Sequence, residues 1–138
     1  MDEEKKKQYK KMLCPYMQEV LKIVGLPNGM DGLLASILML QSPEADANGL
    51  HPITLTHSNK RMIAEENGLS IGSVNNRISM LAKSGLLMRG ARGKYYAHPN
   101  YFGTAPYFCV ERYTVMRMID FDGVRSSIKI LLENEHED

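Results

Sequence analysis

The run Ser70-Ile-Gly-Ser-Val-Asn-Asn-Arg-Ile-Ser-Met-Leu-Ala-Lys83 holds the residues best placed for chemistry. Laid out at about 100° per residue, Val74, Ile78 and Leu81 fall in one narrow arc. That arc must face a core. Opposite it lie Gly72, Asn76, Ser79 and Lys83, flanked by Ser73 and Asn75. All are small, polar or cationic. An Asn side chain carries both a donor and an acceptor, so it can pair bidentately with an adenine edge. Ser70 and Ser73 offer hydroxyls to phosphate, helped by the free amides of a first helical turn. Gly72 costs a helix about 1 kcal/mol against Ala. Close approach to a nucleic-acid backbone would account for it. Small polar residues on an outer helix face are commonly just solvated, so the neighbours of this helix decide the reading.

Those neighbours are basic. Arg89-Gly-Ala-Arg-Gly-Lys94 lies between the apolar runs Leu86-Leu-Met88 and Tyr95-Tyr-Ala97, the pattern of a β-hairpin. In such a hairpin Arg89, Arg92 and Lys94 would track phosphates or enter a minor groove. Lys60 and Arg61 open the preceding helix, where backbone contacts are usual. Arg77 lies between faces; it suits a phosphate or an ion pair with Glu65 or Glu66. Tyr95 and Tyr96 alternate, so one should pack inward and the other be exposed.

The elements that must position these residues follow from periodicity and punctuation. Residues 1–12 read as a charged, frayed terminus. Tyr16, Val20 and Ile23/Val24 predict a short helix at 15–24 with Pro15 in its first turn. A buried helix follows at 30–41, carrying Leu33, Leu34, Ile37, Leu38 and Leu40, then a polar loop from Pro43 to Gly49. Ile53–Thr56 reads as a strand. His57–Asn67 reads as a helix with Ser58 as its cap and Met62 and Ile63 inward; Gly68 ends it. Ser70 opens the next helix at 70–83, and Gly85 closes that one. Tyr107–Phe121 leans to strand. Val124, Ile128 and Leu131/Leu132 predict an amphipathic helix at 123–134.

The bulk numbers narrow the class. A chain of 138 residues fits one domain with a real core. Its net charge is only +1, but the middle is basic and the end acidic: Asp120, Asp122, Glu133, Glu135, Glu137 and Asp138 outnumber Arg125 and Lys129 there. Distribution, not the sum, makes a phosphate-binding face. Cys14 and Cys109 form no CxxC and read as buried free thiols; His51, His57, His98 and His136 are scattered. No metal site, cofactor, nucleophile motif or phosphate-cradling glycine loop is recognisable, so an enzyme is the least favoured class. The ten methionines read as core or interface filler. No apolar run reaches bilayer length and no signal peptide is evident, so a cytoplasmic protein without membrane contact is expected.

The run from Ile63 to Leu87, IAEENGLSIGSVNNRISMLAKSGLL, resembles the winged helix-turn-helix superfamily and is similar to MarR-type regulators. The run Arg92-Gly-Lys-Tyr-Tyr-Ala-His-Pro-Asn-Tyr-Phe-Gly103 resembles the RepL family of plasmid and phage replication proteins; His98 stands where that family has Asn. The resemblance covers residues 30–103. It implies an α+β, mainly α fold: a winged helix-turn-helix at 29–103, an extra N-terminal segment at 1–28 and a C-terminal extension at 104–138. It also implies sequence-specific binding of double-stranded DNA, serving replication initiation or maintenance of a plasmid, phage or integrative element. Host replication proteins would then be further partners. The DNA-facing positions it carries over are Ser73, Asn75, Asn76 and Arg77 on the helix and Arg89, Arg92 and Lys94 on the wing. A transcriptional regulator and a protein-interaction module stay open as alternatives. The apolar stripe of 123–134 and the two-fold habit of winged-helix readers suggest a homodimer.

Overall fold

A computed structural model describes residues 3–132. It is an α+β fold: five α-helices, a three-stranded antiparallel sheet and a separate two-stranded one among the described residues. The elements are α1 (Glu3–Ile23), α2 (Asp31–Leu38), β1 (Ile53–Thr54), α3 (His57–Asn67), α4 (Ile71–Ser84), β2 (Leu87–Arg89), β3 (Lys94–Ala97), α5 (Pro99–Phe102), a 3-10 turn at Tyr107–Cys109, β4 (Val110–Asp120) and β5 (Gly123–Leu132). No helix of the described residues is long and apolar enough to cross a membrane.

Four expectations need correction. The N-terminal helix starts at Glu3, not at 15, and holds Pro15 in its interior. Tertiary contacts order the charged segment: Leu13 is fully buried and the Tyr9 ring meets Tyr107 edge-on at 5.2 Å. Pro15 is on the exposed side. Thr56, not Ser58, caps α3; its Oγ1 accepts from the Asn59 amide at 3.0 Å. Met62 is exposed, while Ile63 and Ala64 point into the core. The expected helix at 123–134 is β5 as far as Leu132, and residues 133 and 134 lie outside the described chain. The strand expected over 107–121 is β4 at Val110–Asp120, after the 3-10 turn of Tyr107–Cys109, and it supplies the partner: β4 pairs antiparallel with β5 along its length, and β-branched Val124, Ile128 and Ile130 alternate as well as they wind.

The rest of the frame follows local chemistry. α2 is buried from Leu33 to Leu38. It stops short of 41 because Gln41 bridges to Ile53, starting the sheet. Ser36, the one buried polar residue among the described residues, donates to Glu66 at 3.0 Å and accepts from Asn67 at 3.3 Å, pinning α2 to the end of α3. Gly68 leaves α3 in the left-handed conformation (φ 63°), and Leu69 N–H returns to the Ala64 carbonyl at 2.9 Å. Val74, Ile78 and Leu81 are buried on α4, as its periodicity predicts, and Gly85 (φ 88°) turns the chain into β2. The sheet order is β1-β3-β2, with Thr54 opposite Lys94 and Arg89 opposite Tyr95. One core cluster runs from Leu13 on α1 through α2, α3, α4 and the three-stranded sheet to Tyr107.

Candidate nucleic-acid interface

The face of α4 opposite its core arc is open. Asn75, Asn76, Gly72, Ser70 and Lys83 are exposed; Ser73, Arg77 and Ser79 are half-buried. Ser70 is the N-cap: its Oγ accepts from the Ser73 amide at 3.1 Å. That lone pair is used inside the helix, and the hydroxyl proton remains to donate outward. Around Gly72 a Cβ would meet only Ser70 Oγ at 3.9 Å, so no contact among the described residues requires a glycine here. Arg77 forms no ion pair with Glu65 or Glu66. Glu66 is instead bound by Ser36 and approached by Lys10 at 4.0 Å.

The β2–β3 hairpin presents its cations at the turn. Arg89, Arg92 and Lys94 are exposed and line one shallow concavity of about 230 Å³ with Gly90, Ala91 and Gly93. Gly93 takes a positive φ of 76°, which a side chain would strain. The Arg89 guanidinium lies 5.7 Å from the centre of the Tyr95 ring, a cation–π contact that orients it without neutralising it. Tyr95 and Tyr96 are both half-buried, contrary to the expected one-in, one-out split. Tyr95 packs on the core. Tyr96 hydroxyl donates to Asp46 at 2.6 Å, which holds the 43–49 loop against the hairpin. That bond lowers the Asp46 carboxyl and raises the Tyr96 hydroxyl from their ordinary values.

A second groove, of about 440 Å³, joins helix to hairpin. Lys83 from α4, Arg89 from β2 and His98 after β3 share its lining. His98 Nδ1 accepts from the Asn100 amide at 3.1 Å, capping α5, which leaves Nε2 as the nitrogen able to donate. Lys60 is half-buried and Arg61 exposed on the first turn and a half of α3. Among the described residues no salt bridge engages Lys60, Arg61, Arg77, Lys83, Arg89, Arg92 or Lys94. The structure thus brings Lys83 to Arg89, and Arg89 to Arg92 and Lys94. Asn75 and Asn76 sit early on α4, away from the end that joins the hairpin.

Three contributors escaped sequence reasoning. His98 had no spacing that signalled a groove. Asn59, whose side chain donates to the Thr54 carbonyl at 2.7 Å, ties β1 to α3. Asp46 was legible as a turn former in Asp-Ala-Asn-Gly, where it accepts from Asn48 at 2.9 Å; its partner fifty residues away was not. Cys14 and Cys109 are free thiols but half-buried, less covered than expected. The Cys14 thiol is raised by burial and by the nearby Asp31 carboxylate. No group of three or more His, Cys, Asp and Glu is placed to hold a metal among the described residues. No protein-family profile matches the chain, and neither a curated protein nor a solved structure matches it.

Proposed function

We propose that the chain is a winged helix-turn-helix protein that binds double-stranded DNA sequence-specifically, with α4 reading the major groove and the β2–β3 hairpin as its wing. One observation carries the reading: the amides of Asn75 and Asn76 stand exposed on α4 while the cations of α3, α4 and the hairpin have no salt-bridge partner among the described residues. Unneutralised cations draw phosphate, and exposed amides discriminate base edges. Lys60, Arg61, Ser70, Ser73, Arg77, Lys83, Arg89, Arg92 and Lys94 serve the backbone in this reading; Asn75 and Asn76 serve the bases, with Gly72 and Ser79 keeping the helix face low. The similarity of Arg92–Gly103 to the RepL family favours a role in replication initiation or maintenance of a mobile element.

The test is fluorescence anisotropy with duplexes selected from random DNA, across a salt series. Wild-type affinity falls steeply with salt. Arg92→Ala weakens all duplexes alike and reduces the salt slope by about 1. Asn76→Ala lowers discrimination between selected and random duplexes by about 1–3 kcal/mol. Salt-insensitive binding, or no binding at low salt, overturns the reading and returns the fold to the protein-interaction class. Protection of a replication origin, rather than a promoter, supports the replication role.

A further inference from the structure

The hollows on the surface differ in the sign of their lining. The one between α1 and β4 sets Glu19 and Glu111 beside Arg112, and the one at the α1–α2 turn sets Asp31 beside Lys22. The groove where α4 meets the hairpin carries Lys83, Arg89 and His98, and among the described residues no carboxylate lines it. Arg89 also lines the hairpin concavity with Arg92 and Lys94, again without a carboxylate. Arg89 thus joins two acid-free hollows into one track. The strand from Lys94 to His98 runs about 13 Å beside it.

His98 is fixed in this track. Its amide donates to the Leu86 carbonyl at 3.0 Å, its Nδ1 accepts from the Asn100 amide at 3.1 Å, and its ring meets Tyr101 edge-on at 5.7 Å. A ring nitrogen that accepts carries no proton, so the ring is placed in its uncharged form with the proton on Nε2. Nε2 has no hydrogen-bond partner among the described residues. One directed donor and two unpaired cations therefore line the same groove.

A helix C-terminus disfavours anions by roughly half a charge. At the end of α4 that charge is partly answered within the chain. The Gly85 amide donates to the Ala82 carbonyl at 3.3 Å, and Ser84 Oγ donates to the Leu81 carbonyl at 2.8 Å. The full charges of Lys83 and Arg89 outweigh what is left. The groove is also continuous with the outer face of α4. Lys83 shares the arc of Asn76 and stands seven residues further on, about 10 Å along the axis. A major groove is about 12 Å wide. With Asn76 over base edges, Lys83 comes to the phosphate rim.

We propose that this groove seats one phosphate of the DNA backbone, with Lys83 and Arg89 supplying charge and His98 Nε2–H supplying an uncharged, directed hydrogen bond. The inference rests on the DNA reading of α4 and adds a positioning contact to it. Flexible cations attract phosphate from many directions; a donor held at three points sets where along the duplex the helix comes to rest.

His98→Asn separates the donor from the cap. Asn is among the strongest helix caps, but its side chain is too short to put an N–H where the imidazole Nε2 stands. The variant should keep the wild-type urea midpoint, bind the selected duplex about 10-fold more weakly, and keep the wild-type salt slope. Lys83→Ala should weaken binding and lower the slope by about 1. Duplexes with a single phosphate replaced by an uncharged methylphosphonate locate the contact. At one position the replacement should weaken wild type and add little to the loss in His98→Asn. This scan compares duplexes on one protein, so it does not depend on the stability of the variant. Equal affinity of wild type and His98→Asn, or additive losses at every phosphate, overturns the groove contact and leaves the DNA reading standing. A slope lowered by about 1 in His98→Asn overturns the uncharged donor. Failure of wild type to bind any duplex overturns both the DNA reading and this inference.

Discussion

The molecule carries two β-hairpins built on opposite terms. The β2–β3 hairpin is short, and its turn is Gly-rich and cationic. It is braced on one side by β1 and by the Tyr96–Asp46 hydrogen bond, and it joins α4 directly. The β4–β5 hairpin is long, has no third strand among the described residues, and ends in apolar residues. Its base is welded to α1 by the Tyr16–Tyr113 stack, and Tyr16 hydroxyl donates to the Tyr101 carbonyl beside it. Burial pushes both tyrosine hydroxyls well above their ordinary range, so they stay neutral and act as packing groups. A braced hairpin can hold charges in water because its stability comes from elsewhere. An unbraced one leaves its apolar end, Ile119, Phe121 and Val124, exposed.

The sharpest way to break this contrast is to compare truncations in the two regions. Leu81 is fully buried on α4 beneath the basic hairpin. Leu81→Ala should destabilise the chain by about 2–5 kcal/mol in urea unfolding, from lost transfer energy and the cavity left behind. Ile119→Ala on the arm should change the stability of the monomer by no more than about 0.5 kcal/mol. Comparable losses at both positions would mean that the tip is already packed within one chain, and the contrast would fail.

A smaller effect sharpens the α4 side. The Ser70 hydroxyl oxygen satisfies one otherwise free amide at the start of the helix. Ser70→Ala should cost about 1 kcal/mol of unfolding free energy, and Ser70→Asp should restore it through the same acceptor and a favourable charge at the helix start. Under the DNA reading the two variants part company. Ser70→Asp keeps the fold and repels phosphate, so its affinity for duplex should fall below that of Ser70→Ala. If Ser70→Asp binds as well as wild type, the start of α4 is not near the backbone.

The two regions also differed in how readily they could be read from sequence. Around α4 every local signal agreed, and at α3 only the cap and Met62 were misread. The glycines at 68 and 85 sit where a left-handed residue must end a helix, Ser70 is a strong cap, and Val74, Ile78 and Leu81 fit one period only. In the arm the signals were degenerate. Val124, Ile128 and Leu131 fit a helical stripe, while Val124, Ile128 and Ile130 fit a strand; pairing with 110–120, a non-local contact, decided it. The same holds for residues 3–12, whose charges look solvated until Tyr107 is in place to meet Tyr9. Asn75, Asn76 and the hairpin cations were legible as exposed candidates because surface chemistry is written locally. Asp46–Tyr96 and the His98 groove were not, since each depends on which distant segment arrives.

The smallest expected effect concerns that distant bond. Tyr96 hydroxyl donates to Asp46 at 2.6 Å, and Asp46 also accepts from the amides of Asn48 and Leu50. The Tyr96 bond is the main cause lowering the Asp46 carboxyl below its ordinary 3.8. A depressed carboxylate contributes stability above its unfolded value and loses it as pH falls through the folded one. The same bond raises the Tyr96 hydroxyl above 10.0, so its contribution is full below that value and lost as pH rises through the raised one. The brace should therefore be complete across the neutral range and weaken at both ends. Tyr96→Phe should lower the urea midpoint slightly at neutral pH, and the gap from wild type should close once Asp46 is protonated. A gap that persists there would mean that Tyr96 braces the hairpin through its ring, not its hydroxyl, and the difference between the two hairpins would rest on β1 alone.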